Sequence, residues 1–431
     1  MSPAAPLPSP ASAASADAFE RARTLFIDGL TSFEAGRFEE AEACFVQSLQ
    51  FLPGRISTQV NLAATLLKLG RAAEALVIAD EILAIEADNT DALFHRGNAL
   101  GAMGSYPQAL SAYERVCELG AANATIMLFR GQMLQRLNRR DEALDSYDKA
   151  LQFDDELALA WSSRGGILRE MKRHEEAAHA FRQAIANGAD DELNRYYLAS
   201  VDKQALPPAA PGFYVEALFD DYADQFDEHL VGVLGYQAHA VLVRQLQVLV
   251  AAEDGASAAS RPARFAATLD LGCGTGLCGK LVKPLTDRLV GVDLSSQMME
   301  RAKALGVYDQ LVHEDIAAFL HATGESFDLI VAADVFIYTG DLAPLFEGAR
   351  KVMGGTNAET RPRMFCFSVE QSPDEDSDFV LLPSLRYAHT ERYIRALASQ
   401  YRFRVAALTR EPIRKDQRES IPGLFVYLTP A

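Results

Sequence analysis

The chain has 431 residues, 49% apolar and 23% charged, and a formal charge of -18. That is a globular composition with room for two or three domains. The acid surplus argues against broad binding to nucleic acid or an anionic membrane, since neutralising phosphates takes an excess of Lys and Arg, and no uninterrupted apolar run reaches the length of a bilayer span.

Residues 1–20, MSPAAPLPSPASAASADAFE, contain no Lys or Arg and no apolar segment, so they read as a disordered Pro/Ala/Ser-rich lead and not as a signal peptide. From Ala22 the sequence repeats. Ala41, Ala75, Ala109, Ala143 and Ala177 recur every 34 residues, and Gly29, Ala63, Gly97, Gly131 and Gly165 keep the same step. Phe45, Tyr113, Tyr147 and Phe181 supply a bulky residue in that register, with Ala79 in the remaining slot. Small residues let helices approach, and the aromatic fills the space they leave. Gly36, Gly70 and Gly104 fall between helices and Pro53 between repeats. This pattern resembles the tetratricopeptide (TPR) repeat, two antiparallel helices per unit. The reading is an all-α solenoid over residues 22–203, with five repeats and a capping helix around Glu192 to Lys203. Such a solenoid presents a concave face to a protein or peptide partner. Arg96, Arg130 and Arg164 share the period. They form either a ladder for an acidic partner or a row of stems laid over neighbouring helices, and the second is favoured.

QALPPAAPGFY, residues 204–214, breaks the pattern with its prolines and reads as a linker. In residues 215–431 short apolar runs (ATLDL, RLVGVDL, QLVHED, FDLIVAAD, RMFCFSVE) alternate with helical segments such as SQMMERAKAL and LAPLFEGARKVM. That alternation predicts an α/β domain with a mostly parallel sheet covered on both faces. YRFRVAALT and GLFVYLTP have no helix between them, so they predict an antiparallel pair at the sheet edge.

Ligands of such sheets bind at the carboxyl ends of the strands, and here those ends carry Asp270, Asp293, Asp315 and Asp334. After the first strand comes DLGCGTGLCG, with G-x-G-x-x-G at Gly274, Gly276 and Gly279. The spacing is that of a dinucleotide loop, but Asp270 would repel a pyrophosphate by roughly 1 to 4 kcal/mol at 4 Å. The same carboxylate suits a ligand with an ammonium and a sulfonium and no phosphate, as in S-adenosyl-L-methionine. Asp293 can accept from both ribose hydroxyls, which either nucleotide would need. Asp315 can accept from an adenine amino group, with Ile316 offering its amide and its side chain to the ring. Each acid also precedes a predicted helix and could serve as its N-cap. Cys273 and Cys278 lie inside the loop, where a metal would compete with the loop's ligand, and no metal site is predicted.

DLGCGTG, GVDLS and HEDI, in that order, resemble the cofactor motifs of the Rossmann-like (class I) S-adenosylmethionine-dependent methyltransferases. The whole chain is similar to bacterial methyltransferases with amino-terminal TPR repeats. By that resemblance Gly272, Gly274, Gly276, Asp293, Asp315 and Ile316 bind the methyl donor; Asp270 and Leu294 complete the predicted set. Candidates to meet the acceptor are Asp334, with Phe336 and Tyr338 after it, and His389. Tyr222, Phe226 and His229 are candidates for a lid. Asp334 could instead cap a helix, His389 could make a structural hydrogen bond, and the aromatics could be core.

Two alternatives stand beside methyl transfer: a non-enzymatic adaptor with a cofactor-sensing domain, and an NAD-dependent oxidoreductase. The acceptor is open between a small molecule and a protein side chain; nucleic acid is disfavoured. Five cysteines, few and odd in number, fit a cytoplasmic location.

Overall fold

A computed structural model describes residues 10–189, 191–202, 206–223, 235–253, 265–354, 362–416 and 419–431. The chain divides into two compact units between residues 190 and 191.

The first unit is helical: α1 (Pro10–Glu34), α2 (Phe38–Phe51), α3 (Ile56–Lys68), α4 (Ala72–Ile85), α5 (Thr90–Ala102), α6 (Tyr106–Glu118), α7 (Ala124–Arg136), α8 (Arg140–Phe153), α9 (Ala158–Glu170) and α10 (His174–Ala186). They pack as successive hairpins, α1 on α2 through α9 on α10. The 34-residue register explains the packing atom by atom. A Cβ placed on Gly29, Gly97, Gly131 or Gly165 would stand 2.5–2.7 Å from the ring of Phe45, Tyr113, Tyr147 or Phe181, closer than real contacts allow. Ala63 is tolerated because its partner position holds Ala79 instead of a ring, and both alanines are fully buried. The turn inside each hairpin needs a left-handed residue. Gly36, Gly70 and Gly104 have φ of 73, 74 and 75°, and the same slot is filled by Asn138 at 59° and Lys172 at 61°, a conformation that costs a non-glycine residue roughly 1 kcal/mol.

The arginine row pairs within the unit. Arg96 donates to Asp80 at 2.8 Å and Arg164 to Asp148 at 2.6 Å. Arg130 donates to Ser146 at 2.5 Å and reaches Glu114 at 3.4 Å. Asp80, Glu114 and Asp148 are themselves 34 residues apart, so each arginine clasps the last helix of the preceding repeat. The favoured reading lays the stems over neighbours; what is seen is the guanidinium heads paired with acids of the preceding helix. The lead differs from expectation: α1 begins at Pro10, within the stretch expected to be disordered, because PASAASADAFE is rich in alanine, the strongest helix former.

The second unit opens with α11 (Glu192–Asp202), α12 (Gly212–Tyr222) and α13 (Ala238–Glu253). Then come β1 (Phe265–Leu271), α14 (Leu277–Val282), β2 (Thr286–Asp293), α15 (Ser296–Ala304), β3 (Gln310–His313), α16 (Ile316–Ala322), β4 (Leu329–Ala332) and α17 (Ala343–Val352). The chain ends with β5 (Met364–Gln371), β6 (Phe379–Leu381), β7 (Tyr387–His389), α18 (Glu391–Gln400), β8 (Phe403–Asp416) and β9 (Glu419–Pro430). β3-β2-β1-β4-β5 run parallel in that order. β9 lies antiparallel against β5 and β8 against β9, while the short β6/β7 hairpin joins the carboxyl tip of β5. The near-continuous apolar runs are buried on both faces. Leu269, Ile330 and Phe365 pack with α16, α17 and α18; Leu289, Val331 and Cys366 pack with α13 and α14.

Two expected boundaries shift. The helix expected to cap the repeats, α11, falls in the second unit. There Tyr196, fully buried, donates to the Leu385 carbonyl at 2.7 Å and packs with Leu381 and Tyr387. The segment expected to be a linker is also built in. The Pro208 carbonyl accepts from Gly340 and Asp341 at 2.8 and 2.9 Å, and the Ala210 amide donates to Tyr338 at 2.8 Å. Prolines lack a donor but keep their acceptor, so an extended Pro-rich stretch can edge along a loop in this way.

Candidate active site

A cavity of about 420 Å³ opens at the carboxyl ends of the parallel strands. One half sits over β1, β2 and β3. Leaving β1, the chain turns at Gly272 and Gly274, whose φ values are 64 and 52°. Both line the cavity, and nothing stands within 4 Å of where a Gly274 Cβ would be, so bare backbone faces the space. Four of the loop amides are already committed. Gly272 and Cys273 donate to the Val292 carbonyl at 2.8 and 3.0 Å, and Gly276 to Cys273 at 2.9 Å. Gly274 donates to Asp293 Oδ2 at 2.7 Å. A pyrophosphate needs those donors free, and the helix that follows has only six residues. The loop therefore has the glycines of a dinucleotide site, but the amides of Gly272, Cys273, Gly274 and Gly276 are spent within the protein.

Asp293, at the end of β2, lines the cavity and also accepts the Ser295 amide at 2.9 Å. Burial pushes its carboxyl above the ordinary value, and the two amides oppose that shift. Asp315 is both an N-cap and a cavity residue: Oδ1 takes the Ala317 and Ala318 amides at 3.0 and 2.9 Å. Oδ2 makes no hydrogen bond among the described residues. Leu294, Met298 and Ile316 complete this half with apolar surface.

Asp270 and Gly276, both expected at the ligand, do not line the cavity. Asp270 lies under the loop, 1% exposed, with Oδ2 accepting the Tyr308 hydroxyl at 2.7 Å and Oδ1 buried without a hydrogen-bond partner among the described residues. Burial drives its pKa up to about 7, against the Tyr308 bond. Gly276 and Gly279 serve packing: a Cβ on either would meet Tyr308, the residue that holds Asp270.

The other half sits over β4, β5 and β7. Asp334 follows β4 in a left-handed conformation, φ 61°. Its two carboxylate oxygens accept from Nη1 of Arg414 at 3.0 and 2.7 Å, while Nη2 of Arg414 bonds Glu370 at the end of β5. A register shift between Pro412 and Arg414 in β8 accompanies this placement of Arg414, 3% exposed. Burial opposes its charge, but Asp334 and Glu370 hold the guanidinium protonated beyond the usual arginine. Tyr236, Tyr338 and Arg386 line the same half; burial pushes the Tyr338 hydroxyl up and the charge of Arg386 opposes that shift. Val215, Leu218 and Phe219 of α12 form an apolar wall, with Phe219 edge-on to Tyr338 at 5.5 Å.

Two further expected residues lie elsewhere. His389 is fully buried within β7, where Nε2 donates to the Gly340 carbonyl at 3.0 Å and burial lowers its pKa to about 4. It is a neutral structural histidine outside the cavity. Phe336 is fully buried against Phe365 and Phe367, and its neighbours Val335 and Ile337 line the cavity instead. Phe226, His229 and the side chain of Tyr222 lie outside the described residues. The sequence reading misses Arg414, Glu370, Arg386, Tyr236 and the wall contributed by residues 209–219. Glu370 carries the same signal as the acids that were found, a carboxylate ending a strand.

Comparison with known proteins agrees with this division. Residues 269–355 match the family described as a methyltransferase domain. Residues 32–96, 91–119 and 124–156 match families described as tetratricopeptide repeats. Nodulation protein S of Bradyrhizobium diazoefficiens is 34% identical over 91 residues, which span 20% of this chain and 43% of that protein. A thermophilic TPR protein of Thermus thermophilus is similar at 24% identity, over 42% of this chain and 98% of that one, with a TM-score of 0.37. Magnesium protoporphyrin IX methyltransferase of Synechocystis PCC 6803, solved with bound SAM, is similar at 15% identity, over 53% of this chain and 99% of that one, also with a TM-score of 0.37.

Proposed function

We propose that this chain, which carries a methyltransferase domain behind tetratricopeptide repeats, moves a methyl group from S-adenosylmethionine to an acceptor. One observation carries the reading. The glycine loop gives its Gly274 amide to Asp293 and its Gly272 and Cys273 amides to Val292. The site is thus organised around carboxylates and bare backbone, which suits a cationic adenosyl compound and works against a dinucleotide. In this reading Asp293 accepts from the ribose hydroxyls, the uncommitted oxygen of Asp315 accepts from the adenine amino group, and Ile316 covers the ring. Gly272 and Gly274 let the methionyl portion lie against the backbone. Asp270 acts from beneath, its carboxyl held under the loop by the Tyr308 hydroxyl.

A sulfonium is already a strong electrophile, so the protein's work is to align the acceptor and exclude water, worth up to roughly 7 to 11 kcal/mol of the barrier. Asp334, Tyr338 and the α12 wall are placed to receive the acceptor beside the donor. The repeat unit recruits the acceptor or a protein partner through its concave face. The five cysteines, unpaired and three of them buried, suit a cytoplasmic setting.

Titration calorimetry tests the reading. The methyl donor should bind at micromolar levels and NAD should not, and Asp293→Ala should weaken the donor at least tenfold. Binding of NAD in preference to the donor would reject it. Transfer of labelled methyl to cell components separates an enzyme from a cofactor-sensing adaptor.

A further inference from the structure

We propose that the methyl acceptor presents a carboxylate, gripped by Arg386, and that the product is a methyl ester; this rests on the reading of the chain as a methyltransferase. The half of the cavity over β4, β5 and β7 holds two guanidinium groups with different surroundings. Arg414 is neutralised on both sides by Asp334 and Glu370. Arg386 stands at the tip of the β6/β7 hairpin, where its carbonyl accepts the Leu382 amide at 2.9 Å and Leu385 turns through φ 62°. Among the described residues its side chain makes no ion pair, and its charge opposes the upward shift of the Tyr338 hydroxyl. Glu370 feels its charge but takes its hydrogen bond from Arg414. Among the described residues Arg386 is therefore a cavity-wall cation that no carboxylate pairs, and a guanidinium fork matches a carboxylate.

The same cavity is poor in bases. Its described lining contains no His, Lys, Cys or Glu. Asp293 and Asp315 each hold two backbone amides, and Asp334 is held bidentate by Arg414. An alcohol or ammonium acceptor must lose a proton as it reacts, and among the carboxylates of the described lining only Asp315, in the half over β1, β2 and β3, keeps an oxygen without a hydrogen bond. A carboxylate needs no base. A lone pair on its oxygen attacks the methyl carbon, the carbon–sulfur bond breaks, and its electron pair stays on sulfur. A sulfonium and a carboxylate become a neutral thioether and a neutral ester, and no proton moves. Val215, Leu218, Phe219 and Ile337 along the wall suit an acid with an apolar body.

The test uses the full chain, S-adenosylmethionine labelled in its methyl group, and the small-molecule and protein fractions of the cells that make it. Methyl esters release volatile labelled methanol in mild alkali; methylated amines, ethers and carbons do not. The expected result is alkali-labile label. Arg386→Met should lower transfer at limiting acceptor about 10- to 150-fold, the range for a lost charged hydrogen bond, with donor affinity by calorimetry within twofold of wild type, and Arg386→Lys should recover part of the rate. Alkali-stable label overturns the ester, and Arg386→Met working as wild type overturns the grip on the acceptor; either leaves the methyltransferase reading standing. A donor that fails to bind, or binds with no label passing to any fraction, overturns both.

Discussion

The two units use arginine in opposite ways. In the repeat unit each arginine reaches one acid of the preceding repeat, at a fixed separation of 16 residues and near the surface: Arg96 to Asp80, Arg130 to Glu114, Arg164 to Asp148. In the α/β unit a single arginine, Arg414, is buried between Asp334 and Glu370, 80 and 44 residues away. The first arrangement is repeated, solvated and individually weak. The second occurs once among the described residues, and removing its arginine strands two carboxylates away from water. Periodic surface pairing tolerates loss, whereas the buried triad fixes the geometry of a cavity and does not.

That contrast can be broken in several places. The largest effect belongs to Arg414→Met, which leaves two buried carboxylates unpaired and should cost about 3–5 kcal/mol, read as faster hydrogen exchange at the β8 and β9 amides. Adding Asp334→Asn and Glu370→Gln should recover most of it; a cost below about 1 kcal/mol for Arg414→Met would erase the distinction between the units. Asp270 comes next. Burial raises its folded pKa from 3.8 to about 7, so the folded state binds the proton more tightly than the unfolded chain does. Its contribution is complete below about pH 4 and is lost as pH rises through about 7. Asp270→Asn keeps an acceptor for Tyr308 and should remove that slope, a change of a few kcal/mol at alkaline pH. In the repeat unit, Gly131→Ala should cost about 1–3 kcal/mol by overpacking Tyr147. The second change Tyr147→Ala should relieve that clash, since Ala63 and Ala79 are the same pair in another repeat. Trp161, the sole tryptophan and part of α9, makes fluorescence a reporter of this unit. Arg164→Ala should be smallest, at most about 1 kcal/mol and shrinking with added salt; a loss as large as that of Arg414→Met would overturn the comparison from the other side.

The repeats were legible because a period places interacting residues at fixed separations, so Gly131 and Tyr147 announce each other. Even there, Asn138 and Lys172 occupy the left-handed slot without resembling the glycines before them. In the α/β unit, Asp293 and Asp315 were legible because a strand, an acid and a helix follow one another within a few residues. Arg414 was not, because its placement depends on pairing along β9 and a register shift in β8. His389 and Phe336 misled because neighbouring strands and rings bury them completely, and a histidine in a three-residue strand carries no periodicity to reveal it. Asp270 is legible as an acid at a strand end but not in its depth, since Tyr308, 38 residues on, holds it beneath the loop.

The docking of Pro208 and Ala210 onto the segment after β4 bears on how the protein can be cut. A fragment beginning at residue 215, where the strand-and-helix alternation starts to show, would discard Ala209, Ala210 and Gly212 from the cavity wall and strip the Gly340 and Asp341 amides of their acceptor. A fragment beginning at residue 191 would keep those contacts and bring Tyr196 along. Catalytic competence measured on the shorter piece would understate the enzyme, because what looks like a tether between domains is part of the vessel.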